Sequence, residues 1–191
     1  MLFFVTGSHG SGKSTVLPAL RARFPEMAWH AFEGSNQPKG SGIAGRQQAT
    51  EHWIRQGLQD QEAGRDAGIC GGCVPGEILA CPSAPRLRGI AICLLECSNP
   101  VVRADRLRVR PKGGLTQEAL NWGVWLRMHA ADPQWRQDVI RDGGWPAMRW
   151  DRWDAWQRGD PRWDVWVLDT AHVTIEETTE RLAAWVAQRR G

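Results

Sequence analysis

The chain has 191 residues, with 24 Lys and Arg against 21 Asp and Glu and a formal net charge of +3. That length holds one α/β domain with its own core, and so small a charge surplus gives no global drive toward nucleic acid or a membrane surface. No stretch approaches the roughly 20 apolar residues that span a bilayer, the apolar N-terminal run is too short for a secretory signal, and an odd count of five cysteines argues against a disulfide framework; a cytoplasmic protein is expected.

Leu2 to Thr6 is almost entirely apolar and reads as a buried parallel strand. It runs into Gly7-Ser8-His9-Gly10-Ser11-Gly12-Lys13-Ser14-Thr15, after which a helix is expected from Lys13 to about Phe24, with Pro18 as a source of bending. Gly-x4-Gly-Lys-Ser between a strand and a helix is the P-loop pattern. Its glycines allow backbone angles that other residues resist, so consecutive N–H groups turn inward as a nest for phosphate oxygens. Lys13 reaches the outer phosphates, the Ser14 hydroxyl suits Mg²⁺, and the helix dipole faces the anion. All nine residues from Gly7 to Thr15 are therefore expected at a nucleotide, read as ATP with Mg²⁺.

Met27 to Glu33 is expected as a second strand, and the Gly, Ser, Asn and Pro of residues 34–45 as a mobile loop. Arg46 to Ala63 has Ala49, Trp53 (or Ile54) and Leu58 at helical spacing. Gly68 to Val74 is a short third strand, Pro75 to Ala80 a helical turn, and Gly89 to Cys97 a strongly apolar fourth strand. Asn99 caps a helix from Pro100 to Val109, and Pro111 to Gly114 breaks the chain. Thr116 opens a helix to about Ala131, and Asp132-Pro133 opens another that ends near Gly143-Gly144. Trp145 to Trp156 has no clear pattern. Trp163 to Asp169 is a fifth strand, and Thr174 with Glu177 forms a capping box for a last helix to about Arg189. Strands alternating with helices give a parallel sheet covered on both faces. The stretch at about 110–161 contains no strand and reads as a helical insertion within one domain spanning 1–191. Nine of the 12 tryptophans fall between Trp122 and Trp166; they are expected to pack this insertion onto the core, with one or two lining a pocket. The cysteines lack the paired spacing zinc wants and are expected as small buried apolar residues.

A P-loop close behind the first strand, the arginine-rich Arg103 to Arg110 after the fourth, and a last strand ending VWVLDT before a capped helix resemble the small P-loop kinases. These include adenylate and cytidylate kinases, shikimate kinase, gluconate kinase and chloramphenicol phosphotransferase, with a group of uncharacterised actinobacterial ATPases related to them. The resemblance implies a P-loop NTPase three-layer α/β sandwich with a five-stranded parallel sheet of order 2-3-1-4-5 and a lid after the fourth strand. It also implies that Asp169 to His172 lies near the nucleotide base. Two departures stand out: WHAFEG ends the second strand with Glu33 as its only acid, and the third strand, GICGGC, has none. The Gly71-Gly72 pair resembles the segment that shikimate kinase sets beside its acceptor.

Glu33, at a strand's carboxyl end beside the P-loop, stands where ligands of open sheets bind, and it is the candidate base for an acceptor hydroxyl. Glu77 is the second candidate in the acceptor region. Arg106 and Arg110, four apart on one helical face, are candidate cations for the transferred phosphoryl group. Arg46 suits a carboxylate or phosphate acceptor. His9 reads as a loop-shaping residue. The expectation is an ATP- and Mg²⁺-dependent phosphotransferase acting on a small-molecule acceptor: a nucleoside, nucleotide, sugar or specialised metabolite. The alternative is a nucleotide-binding switch or slow NTPase whose Trp-rich insertion binds a partner, with nucleic-acid processing third.

Overall fold

The structure, a computed structural model, describes residues 1–33, 42–109 and 114–190. One parallel sheet contains β1 (Leu2–Gly7), β2 (Ala28–Ala31), β3 (Ala67–Cys70), β4 (Ile90–Glu96) and β5 (Val165–Asp169) in the spatial order 2-3-1-4-5. The helices are α1 (Lys13–Arg23), α2 (Gly42–Glu62), α3 (Pro75–Ala80), α4 (Pro100–Arg108), α5 (Gln117–Ala131), α6 (Asp138–Arg141) and α7 (Ile175–Arg190). This is the expected α/β sandwich.

Strand side chains alternate between the two faces. Leu2, Phe4, Ile69 and Ile92 turn to one face, where Trp53, Ile54 and Leu58 of α2 and Ile78 of α3 cover them. Phe3, Val5, Cys93 and Leu95 turn to the other, under Val16, Leu17 and Leu20 of α1 and Leu182 and Val186 of α7. A third cluster joins Val74 and Leu94 to Trp125, Leu126, Ile140, Trp153 and Trp163, so the Trp-rich stretch packs against β4 through its indoles.

Several boundaries differ from the sequence reading. β2 ends at Ala31, which leaves Glu33 in the following turn. β3 stops at Cys70, because Gly71-Gly72 turns the chain and Pro75 opens α3 with Val74 at its cap. α2 begins at Gly42, four residues before Arg46; the rest of the expected mobile loop, residues 34–41, lies outside the described residues, as do Arg110 and residues 111–113 of the expected break. Between Asp132 and Gly144 only α6 is helical, because Arg136 takes a φ of +39° and interrupts the run. Pro18 lies inside α1 without ending it.

Candidate active site

The P-loop leaves β1 at the centre of the sheet, where the strand order reverses and open α/β sheets bind their ligands. Gly10 and Gly12 have φ of +81° and +97°, a region that favours glycine. A Cβ on Gly7 would lie 2.3 Å from the Leu95 carbonyl oxygen and 2.6 Å from Ser11 Oγ, so no side chain fits there. Ser11 is fully buried, and its hydroxyl has no hydrogen-bond partner among the described residues. Such an orphan costs about 1–3 kcal/mol, and a phosphate oxygen in the cradle would satisfy it. Lys13 Nζ donates to the Ser8 carbonyl at 2.8 Å, which folds the lysine over the loop. Ser14 and Thr15 are exposed in the first turn of α1. An orphaned hydroxyl, a glycine-only cradle and a helix N-terminus together fit a nucleotide phosphate.

Arg106 holds this loop from its carbonyl side. Nη1 donates to the Gly10 carbonyl at 3.4 Å and to Thr170 Oγ1 at 3.0 Å, and Nη2 donates to the Thr170 carbonyl at 2.7 Å. Thr170 Oγ1 in turn lies 3.2 Å from the Ser11 carbonyl and 2.8 Å from that of Glu96. These bonds tie the Gly10 and Ser11 carbonyls of the loop to α4 and to the segment after β5. The arginine run thus divides by role: Arg103 is buried and donates to the Ala119 and Leu120 carbonyls of α5, Arg108 pairs with exposed Asp105, and Arg110 lies outside the described residues. Beside Thr170, burial raises the Asp169 carboxyl, but hydrogen bonds from Ser98 and the Ala171 N–H outweigh it and hold the group below the usual range.

Two clefts open on this edge. The first, about 830 Å³, runs from the P-loop to Thr174, Ile175 and Thr178 of the α7 entry, with Arg106 and Thr170 in its wall. The second, about 950 Å³, is lined by Phe32, Ile43, Arg46, Gly72, Thr116, Glu118, Asn121, Trp122 and Trp125. His9, Lys13 and Glu33 line both. The Glu33 carboxylate lies over the glycine pair: a Cβ would be 2.9 Å from Oε2 if placed on Gly71 and 3.4 Å from Oε1 if placed on Gly72. Gly72 lines the second cleft, whereas Gly71 packs against Phe32, 2.1 Å from where its Cβ would stand. Cys70 lines the first cleft, but burial, aided by Glu33 and opposed by Lys13, pushes its thiol up to about 12, so it carries no thiolate at neutral pH. All five cysteines are free and buried. Among the described residues no three His, Cys, Asp or Glu group as metal ligands, and no helix is long and apolar enough to cross a membrane.

The acceptor-region expectation for Glu77 needs correction. Glu77 does not face the cleft. It is fully buried, accepts from Arg46 Nε at 2.9 Å and Nη2 at 2.7 Å, and accepts from Gln47 Nε2 at 3.0 Å. A carboxylate so enclosed cannot take a proton from a molecule in the cleft. Arg46 does line the cleft, but two of its nitrogens are bound to Glu77, and its Cζ lies 4.9 Å from the centroid of the Trp122 ring. Trp122 stacks on Trp125 at 5.0 Å and Trp125 on His129 at 4.7 Å. The contributions of Thr116, Glu118 and Asn121 had no signal in the sequence. That of Thr174 did, since its capping box places the start of α7 just past the last strand.

No protein-family model matches the chain, and no curated protein sequence matches it. Solved structures do. A sugar kinase from Janibacter sp. is 14% identical, with a TM-score of 0.61 over 97% of this chain and 94% of that one. An uncharacterised protein from Eubacterium ventriosum is 13% identical, with a TM-score of 0.52 over 98% of each chain. A gluconokinase from Sinorhizobium meliloti is 15% identical, with a TM-score of 0.51 over 97% of this chain and 91% of that one. The P-loop cradle, the strand order and these likenesses together give the chain the fold of the small P-loop kinases.

Proposed function

We propose that residues 1–191 form one P-loop kinase-like domain, with the Trp-rich stretch at about 110–161 as its lid. It acts in the cytoplasm as an ATP- and Mg²⁺-dependent phosphotransferase that moves the γ-phosphoryl group to a small molecule. One observation carries this reading: two clefts of similar size meet at His9, Lys13 and Glu33. A switch or a simple NTPase needs only the first. A second cleft gives an acceptor a fixed position beside the phosphate cradle, and such positioning is the main catalytic resource in phosphoryl transfer.

Lys13 stands at the junction and supplies positive charge to the outer phosphates. Ser14, in the first turn of α1, offers its hydroxyl to Mg²⁺; when bound, the ion neutralises charge on the phosphate oxygens. Glu33, at the same junction, accepts the proton of the acceptor hydroxyl. Arg106 and Thr170 keep the loop in its binding shape, and the α7 entry receives the base.

The test is ATP consumption followed by phosphorus NMR, with an acceptor panel. Lys13→Ala should abolish turnover in a folded protein. Glu33→Gln should keep ATP binding and cut transfer by about 10²–10⁴, the usual worth of a positioned general base. ATP loss that no acceptor stimulates, with inorganic phosphate as its only product, would move the assignment to a slow NTPase or switch.

A further inference from the structure

The chemistry of the second cleft narrows the acceptor, if that cleft is the acceptor site of the proposed phosphotransferase. We infer that the acceptor is an uncharged hydroxyl compound with an apolar ring face, and not a carboxylate or a phosphate ester. Among the described residues two cationic side chains line the cleft, Lys13 and Arg46; in the proposed reaction Lys13 is committed to the outer phosphates of the nucleotide, and both oxygens of Glu77 already hold Arg46 Nε and Nη2. Glu77 is fully buried. An anion that drew Arg46 away would leave a buried carboxylate short of its countercharge, and breaking a buried pair from one side is strongly unfavourable. Gln47 Nε2 alone is a weak replacement for a guanidinium. The Arg46–Glu77 unit therefore presents a neutral floor.

Apart from Lys13, the other described side chains of the lining agree. Glu118 and Glu33 are carboxylates on the cleft; they accept hydroxyl protons and repel anions. Thr116 and Asn121 add polar groups that suit a polyhydroxy or amide-bearing molecule. Trp122 and Trp125, with Phe32 and Ile43, supply apolar surface for a ring.

The experiment uses phenyl β-glucoside and phenyl β-glucuronide, which differ by one carboxylate. Their binding to the full chain with ADP and Mg²⁺ is measured by NMR titration. The neutral ligand should bind at least about tenfold more tightly. Glu77→Gln removes the countercharge with little change of shape, so it should shift the ratio toward the glucuronide by about tenfold. Trp122→Ala should weaken the glucoside while ADP affinity stays constant. Tighter or equal binding of the glucuronide by the wild type overturns the inference, and so does failure of the glucoside to bind. An unchanged ratio in a Glu77→Gln protein that still binds ADP does the same. The kinase reading fails differently: absence of any phosphorylated product refutes it whichever ligand binds, whereas efficient phosphorylation of gluconate or AMP keeps it and overturns only the neutral-acceptor inference.

Discussion

Arg106 shows what a single residue gains from its surroundings. From sequence it reads as a cation for the transferred phosphoryl group, because phosphoryl transfer needs such cations and the residue follows the fourth strand. In the fold its fork ties the P-loop to the segment after β5 through Gly10 and Thr170, which lie 96 and 64 residues away in sequence. In the proposed function it is a positioning residue for the cradle. Arg106→Lys keeps the charge but loses the fork that reaches three oxygens. ADP affinity should fall by about 10–100-fold, with Thr170→Val weakening it in the same direction, as isothermal titration can measure. A residue acting only on the transition state would lower kcat and leave ADP binding intact. The P-loop itself was legible because its chemistry is local, written in nine consecutive residues. Arg106 and Gln47 draw their roles from contacts that no local pattern encodes. Glu77 was misplaced for the same reason: a carboxylate after a strand reads the same whether it faces a cleft or a buried arginine.

Among the elements, the helices were more legible than the strands. Helix starts carry their own chemistry: Asn99 accepts from the Val101 and Val102 N–H groups, Thr116 from that of Ala119, and Thr174 and Glu177 cap one another. Short strands such as β3 lack end signals beyond the glycines that stop them. α5 carries a feature that sequence did not mark. His129 is fully buried among Trp125, Trp153 and Trp163, and neither ring nitrogen has a hydrogen-bond partner of normal geometry among the described residues. Burial holds its pKa down to about 3 from 6.5; the nearby Trp135 main chain opposes the shift and Arg141 adds to it. The folded ring stays neutral while the unfolded ring takes up a proton below pH 6.5, so stability is lost as pH falls from about 6.5 toward 3. The slope from this group is about 1.4 kcal/mol per pH unit at most. Urea unfolding at pH 7, 6 and 5 should show wild type losing stability faster than His129→Leu, which has no proton to gain. Parallel pH dependence of the two proteins would mean that the ring is hydrated in the native state.

At the scale of the molecule, the strand–helix alternation together with the family resemblance was enough to anticipate the sheet, but not the second cleft. That cleft gathers the turn after β2, the start of α2, and residues of α5 and α6, a convergence that only packing produces. The same packing argues that the insertion does not unfold alone. Gln47, fully buried on α2, donates to the Ile140 carbonyl at 2.6 Å and accepts from the Trp145 N–H at 2.6 Å. Trp153 Nε1 donates to the Gly76 carbonyl at 3.0 Å, and Arg152 reaches the carbonyls of Leu79, Cys81 and Pro82. Leu94 and Val74 share their apolar cluster with the insertion's tryptophans. The proposed single domain implies one transition. Tryptophan fluorescence reports mainly on the insertion, which holds seven of the 12 indoles, whereas far-ultraviolet circular dichroism reports on all helices and strands. Their urea curves should coincide. Gln47→Ala strands the buried Ile140 carbonyl, at about 1–3 kcal/mol, and frees the half-buried Trp145 N–H, so it should move both curves together to lower urea. A fluorescence transition that precedes the circular dichroism transition, in wild type or variant, would make the insertion a separate unit and overturn the single-domain assignment.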